Sequence, residues 1–296
     1  MSDVLSARLA VLPRRPVSAF VGRWSGAPWL SGLVLLVLIL GVACAPLLTR
    51  WDPLEIDLAK AFAPPFYAAG GSWDHPLGTD NLGRDILSRI LYGGRVTLLL
   101  SVLAIVLGIV AGTLLGLLSG YRGGWVDVVI QRSVEAILSL PTMMVALVFI
   151  FVLGQSFTGV VLVLSPFIAA RFARMVRGDV LSVRALPYVD LARVAGASDT
   201  RIILRHVLPN VAGTIIVVAT LEVGQLILVV SSLSFLGLGV PPPSPEWGLM
   251  VSAGRQYVAT NYWLSLFPGL AIVLTVLAIN VIGDWLRDVL DPKRVV

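Results

Sequence analysis

Residues 187–210 read PYVDLARVAGASDTRIILRHVLPN, the one hydrophilic helical segment in a chain otherwise built of apolar runs. Tyr188 to Ala195 is long enough for two turns of helix, with Leu191, Val194 and Ala195 on one side. Gly196 supplies the left-handed residue that commonly ends a helix. Ser198 or Asp199 is placed to cap a second helix, Thr200 to Leu208. That helix sets Arg201 and Arg205 four apart on one face and Ile203, Val207 and Leu208 towards the other. Pro209 is expected to limit its continuation, because proline lacks the N–H that the next turn needs. The pattern predicts a helix, a glycine elbow and a second helix. A plain amphipathic hairpin lying on a membrane has the same local signature.

The surrounding composition settles the solvent. Of 296 residues, 57% are hydrophobic and 13% charged, too little polar surface for a soluble globular domain of this size. Crossing about 30 Å of hydrocarbon takes about 20 apolar residues. Runs of that length are Trp29 to Thr49, Val96 to Tyr121, Ala212 to Leu236 and Leu264 to Gly283. Ala136 to Ala170 is uncharged for 35 residues, too long for one crossing, and GQSFTG at Gly154 to Gly159 divides it into two. The expectation is an all-α membrane protein with six transmembrane helices, in which residues 187–210 lie between the fourth and fifth.

Orientation follows from Lys and Arg, which are in excess on cytoplasmic segments. With both termini inside, 16 of the 22 basic residues fall inside and 6 outside. This divides the chain into a basic cytoplasmic amino terminus (1–28), a first span (29–49), an external segment (50–95), a five-helix core (96–286) and a cytoplasmic carboxyl terminus (287–296). The net charge of +5 therefore reflects topology and requires no nucleic-acid partner. Cys44 is the only cysteine, which excludes an intrachain disulfide. The basic start and GVAC ahead of Ala45 have the outline of a cleaved signal, but the run is span-length and Gly41 fits a lipoprotein site poorly, so an uncleaved anchor is expected.

In the external segment, HPLGTDNLGRDILSRILYGGR begins at His75. Thr79 or Asp80 can cap a helix in which Leu82, Ile86 and Ile90 recur every four residues, and this helix is expected along the membrane surface. Gly93 and Gly94 would then turn the chain into the second span. His75 beside Asp74 reads as a structural turn and not a metal site, since no second histidine or cysteine is near. Within the second span Gly108, Gly112 and Gly116 make a small-residue face for close helix contact. Pro141 marks a kink or a boundary near Glu135. Arg171, Arg174 and Arg177, about a turn apart, are expected to reach the headgroups at the inner end of the fourth span.

Four motifs carry a family resemblance. The 187–210 segment resembles the cytoplasmic coupling loop of binding-protein-dependent ABC importer permeases, with Asp190, Ala192, Gly196, Leu208 and Pro209 matching; Leu191 replaces an alanine, and His206 an isoleucine. HPLGTD followed by GRD, LSFLGLGVPPPSPEWG at Leu233 to Gly248, and GDWLRDVLDPK at Gly283 to Lys293 resemble the dipeptide, oligopeptide and nickel group of that family. The resemblance implies an inner-membrane permease subunit with no catalytic, metal or cofactor site of its own. It implies a second permease subunit, two ATPase subunits carrying ATP and Mg, and an extracytoplasmic solute-binding protein. Asp190, Leu191, Ala192, Gly196, Ala197, Leu208 and Pro209 are the implied contacts to the ATPases.

Other classes fit less well. A phosphate-binding loop needs a lysine after its glycines, and the two lysines, Lys60 and Lys293, have no such setting. A Ser-His hydrolase needs both groups in one pocket, whereas His75 and His206 fall on opposite sides of the predicted membrane. An ion-driven carrier would more often show inverted repeats and several buried ionisable groups, and only Glu222 lies at depth, about ten residues or ~15 Å into the fifth span. Glu222 is open to two readings, a pathway residue or half of a buried pair. The resembled family often places an acid later in this span, near the position of Val230. A short peptide is the expected solute, with nickel or another small solute as the alternative.

Overall fold

The computed structural model describes residues 28–290, so the expectations for the basic amino terminus and for Lys293 and Arg294 lie outside the described residues. Helices dominate, and among the described residues the only β-type pairing is an isolated bridge between Thr79 and Asp85. The helices of eight or more residues are α1 (Trp29–Ala43), α2 (Ile86–Arg122), α3 (Gly124–Leu138), α4 (Thr142–Leu153), α5 (Phe157–Arg184), α6 (Pro187–Val194), α7 (Asp199–Phe235), α8 (Trp247–Gly254) and α9 (Trp263–Leu290). Four of these, α2, α5, α7 and α9, are long and apolar enough to cross a membrane. A fifth crossing results if α3 and α4 count as one broken span, and α1 is apolar but only 15 residues long.

Residues 50–95 differ from their sequence reading. Asp80 caps no helix: it holds its own loop, with one carboxylate oxygen accepting from the Leu82 and Arg84 amides at 2.8 and 3.0 Å and the other from Arg84 Nε at 2.7 Å. The cap is Asp85, whose Oδ2 accepts from the Ser88 amide at 2.7 Å and the Ser88 hydroxyl at 2.8 Å. From there α2 runs unbroken for 37 residues, so no separate surface helix forms and Gly93 and Gly94 make no turn. Those glycines admit a neighbour instead. A Cβ on Gly93 would sit 1.8 Å from the Pro245 carbonyl oxygen, and one on Gly94 would sit 2.8 Å from the Trp247 ring. Trp247 itself is fully buried and donates its indole N–H to the Ile90 carbonyl at 2.8 Å. We expect Asp85→Ala to cost about 1–2 kcal/mol through the lost cap, read as a lower melting temperature of the purified complex in detergent. An unchanged melt would mean that the α2 terminus does not depend on Asp85.

Gly108, Gly112, Gly116 and Gly120 form one stripe of α2, pressed against Ile168, Phe172, Val176 and Val180 of α5. The small-residue face predicted from the spacing is thus a close helix seam between α2 and α5. Pro141 is a boundary: it caps α4, and α3 and α4 meet at 85°. Pro209, by contrast, does not end its helix. A π turn at Ile203–Val207 widens the backbone ladder just before it, which relieves the clash between the proline ring and the preceding turn, and α7 continues to Phe235.

Apolar side chains gather in two large clusters. One joins α2, α4, α5 and α7 around Leu100, Ile150, Leu164, Phe172 and Leu233. The other joins α1, α2, α7, α8 and α9 around Ile86, Ile227, Trp247, Leu264 and Ile272. A third, smaller cluster at one end holds residues of the 187–210 segment against α2 and α5, with Val189, Ile202 and Val207 fully buried against Tyr121, Val176 and Val180.

Candidate functional site

The 187–210 segment is built as its local chemistry dictates. Pro187 starts α6 at a position where the missing N–H costs nothing. The helix ends in a Schellman motif: Gly196 has φ +80°, its amide donates to the Arg193 carbonyl at 3.0 Å, and the Ala197 amide donates to the Ala192 carbonyl at 3.1 Å. Ala192 and Ala197, the residues joined by that last bond, are both half-buried and pack on the third cluster. Ser198 then caps α7, its hydroxyl accepting from the Arg201 amide at 3.4 Å.

One face is anchored and the other is bare. Val189 has no exposed surface, whereas Leu191 is 68% and Val194 86% exposed, with Asp190 beside them paired to Arg193 at 3.1 Å. Leu208 is half-buried in the third cluster and Pro209 is exposed. Seven residues singled out from the sequence, Asp190, Leu191, Ala192, Gly196, Ala197, Leu208 and Pro209, therefore fall on one elbow, but only the first two stand outward on α6.

Polar bonds fasten this elbow to α2 and, beside it, α5 to α2. Tyr121 at the end of α2 donates to Asp199 at 2.8 Å, and Arg184 at the end of α5 donates to the Gly120 and Tyr121 carbonyls at 3.1 and 2.7 Å. Asn210 donates to Tyr188 Oη at 3.2 Å, linking α7 back to α6. Of the three α5 arginines whose spacing suggested an outward reach, Arg174 is exposed but Arg171 and Arg177 are drawn to partners on other helices. Arg177 makes two 2.6 Å bonds to Asp127 of α3, which Ser119 of α2 also contacts. Arg171 donates to Glu222 of α7 at 2.8 Å. Glu222 thus has a charged partner, 51 positions away in the chain. Sequence reasoning named Glu222 and Arg171 separately and joined neither to the other.

His75 is buried with Nδ1 3.0 Å from Asp85 Oδ1, beneath the Trp51 ring. Among the described residues no three acidic, histidine or cysteine groups stand together as a metal cage would need.

An elbow with a bare apolar face, fastened to a helix bundle with a charged pair between two of its long helices, is the frame within which relatives can be compared. Residues 112–296 match the family model described as the binding-protein-dependent transport system inner membrane component. The chain belongs to this family. As such a permease it is 42% identical over 293 residues to the dipeptide transport system permease protein DppC of Escherichia coli (strain K12), covering 99% of this chain and 97% of that protein. It is 43% identical over 224 residues to the glutathione transport system permease protein GsiD of Pectobacterium atrosepticum, covering 76% of this permease and 74% of the relative. A chain of a methionine ABC transporter solved in inward-facing conformations superposes with TM-score 0.55 at 21% identity, covering 68% of the permease and 95% of that chain. An amino acid ABC transporter structure gives TM-score 0.52 at 16% identity. The permease is a multi-pass inner-membrane protein with the helical fold of ABC transporter permeases.

Proposed function

We propose that this chain is one of two permease subunits of an ATP-driven importer of dipeptides and short oligopeptides. It provides half of the pathway, while two partner ATPase subunits hold ATP and Mg and an extracytoplasmic binding protein delivers the solute. The observation that carries this reading is the bare Leu191 and Val194 face of α6 on a glycine elbow, fastened to α2 by the Tyr121 to Asp199 bond and packed on Val176 and Val180 of α5. Exposed apolar surface of this kind marks a protein or membrane contact, and membership of the transport-permease family favours the protein. Asp190 and Leu191 sit in the ATPase groove, and Gly196 with Ala192, Ala197, Leu208 and Pro209 holds the angle at which α6 is presented. Closing and reopening of the ATPases moves the elbow, and its bond to α2 and its packing on α2 and α5 pass the motion to the bundle.

In this reading six spans cross the membrane: α1, α2, the broken pair α3 and α4, α5, α7 and α9. Both termini and residues 187–210 are cytoplasmic, and residues 50–95 and 237–263 are outside. A single-cysteine protein, Ser198→Cys in a Cys44→Ala background, is expected to resist an impermeant thiol reagent in intact cells and to react once the inner face is opened. Labelling in intact cells would reverse the orientation.

Peptide specificity draws on relatives named as dipeptide permeases that align over nearly the whole chain. A nickel-specific site is disfavoured in this chain, because nickel takes ordered nitrogen or oxygen ligands and no such group occurs among the described residues. Cells lacking the gene are expected to lose uptake of labelled dipeptides and to keep nickel uptake. Lost nickel uptake with unchanged peptide uptake would transfer the assignment to the metal; loss of neither would point to another small solute. Transport by this chain alone on an ion gradient would instead make it a secondary carrier.

A further inference from the structure

Arg171, whose guanidinium is paired with Glu222, lines a cleft of about 60 Å³ between α4, α5 and α7 together with Thr142, Phe167, Gln225 and Val229 among others. Four features set this cleft apart from a helix-joining ion pair. Arg171 spends one of its five N–H donors on Glu222, its Nε is buried with no hydrogen-bond partner among the described residues, and the side chain is still 38% exposed. Gln225, one turn beyond Glu222, exposes an amide in the middle of an apolar helix, where hydrocarbon would be a costly neighbour. With α3 and α4 as one broken span, the irregular backbone at 139–141, where they meet at 85°, is tolerated only inside protein or beside water. Finally, α4 begins at the cleft with Thr142 and has no side-chain cap, so its first N–H groups and positive dipole end are unspent.

We propose that this cleft is a station for the two charged ends of a short zwitterionic peptide on its way through the pathway. The inference rests on the peptide-permease reading and specifies what the path recognises. The free donors of Arg171 and the start of α4 receive the peptide carboxylate, Glu222 receives its ammonium, and the Gln225 amide reaches the peptide bond. The resident ion pair makes this exchange neutral in charge: a zwitterion replaces one pair by two and leaves no buried charge uncompensated. Side chains of the peptide make no ionic contact, so the station is permissive for sequence. Binding is weak because the resident pair competes, and weak binding lets the solute leave.

The test uses the assembled complex with its binding protein in proteoliposomes, measuring labelled dipeptide moved per ATP hydrolysed. The double variant Arg171→Gln/Glu222→Gln keeps shape and removes both charges together. Its ratio is expected to fall by roughly tenfold, about 1.4 kcal/mol of lost stabilisation. If the pair only joins α5 to α7, replacing both partners is close to neutral, and an unchanged ratio overturns the station. Should the double variant fail to assemble, Gln225→Leu, which leaves the ion pair intact, is expected to lower the ratio severalfold, and wild-type transport by it overturns the proposal. A wild-type complex that carries no peptide removes the peptide-permease reading and the station together. Wild-type uptake with indifferent variants removes the station alone.

Discussion

A permease carrying Gly196→Val reaches the membrane at near wild-type abundance and loses roughly tenfold or more of its transport, the factor that 1.4 kcal/mol represents. The reason is conformational and not steric. Gly196 has φ +80°, and no heavy atom lies within 4 Å of the point where a Cβ would stand, so the new side chain collides with nothing. It does, however, oppose the left-handed conformation, at about 1–2 kcal/mol for an L-residue and more when β-branched. The backbone relaxes by releasing the two bonds from Gly196 and Ala197 that close α6, and the outward face of Leu191 and Val194 changes its angle. Val189, Ile202 and Val207 stay buried below, which is why the fold survives. Gly196→Asn, whose side chain tolerates this region, should retain most activity. The measurement is uptake and binding-protein-stimulated ATP hydrolysis in the reconstituted complex, normalised to permease abundance. Full activity of the valine variant at normal abundance would remove the elbow from the coupling route.

Gly112→Val is expected to act at the opposite level, on the existence of the bundle. A Cβ at Gly112 would lie 2.4 Å from the Ala169 carbonyl oxygen and 2.6 Å from Phe172 Cβ, atoms that cannot rotate aside. The neighbouring glycines at 108, 116 and 120 place similar limits on either side, so α2 cannot tilt away locally. Overpacking a well-filled core typically costs about 1–3 kcal/mol, and a clash with backbone lies at the upper end. In a membrane the loss is felt fully, because helix association there relies on close packing more than on the hydrophobic effect. The permease should fall severalfold in abundance and melt at lower temperature. Gly178→Val in α5, where no heavy atom lies within 4 Å of a Cβ, should do neither. Equal abundance and melting of the Gly112 and wild-type proteins would show that the seam tolerates separation.

The readable part of this protein is the part set by local rules. Apolar runs of span length, the glycine stripe on α2 and the Gly196 elbow each follow from one stretch of chain: hydrocarbon thickness sets the first, the size of a missing side chain the second, and the strain of a positive φ the third. What could not be read locally was partner choice. Arg171, Arg174 and Arg177 stand at the same spacing, yet Arg171 meets Glu222, Arg177 meets Asp127, and Arg174 is exposed, because each contact depends on how α5 is rotated against α7 and α3. Gly93 and Gly94 read as a turn because their use, admitting Pro245 and Trp247, comes from residues about 150 positions later. The cap moved from Thr79 or Asp80 to Asp85 because Asp80 is spent on Arg84 and its own loop. Pro209 failed to stop α7 because a π turn changed the ladder ahead of it. Sequence alone determined the solvent, the helical class and the elbow, since these depend on each segment's own composition and backbone strain. The tertiary structure alone decided which charges are paired and which faces stay bare, since those depend on side chains that only the packed helices bring together.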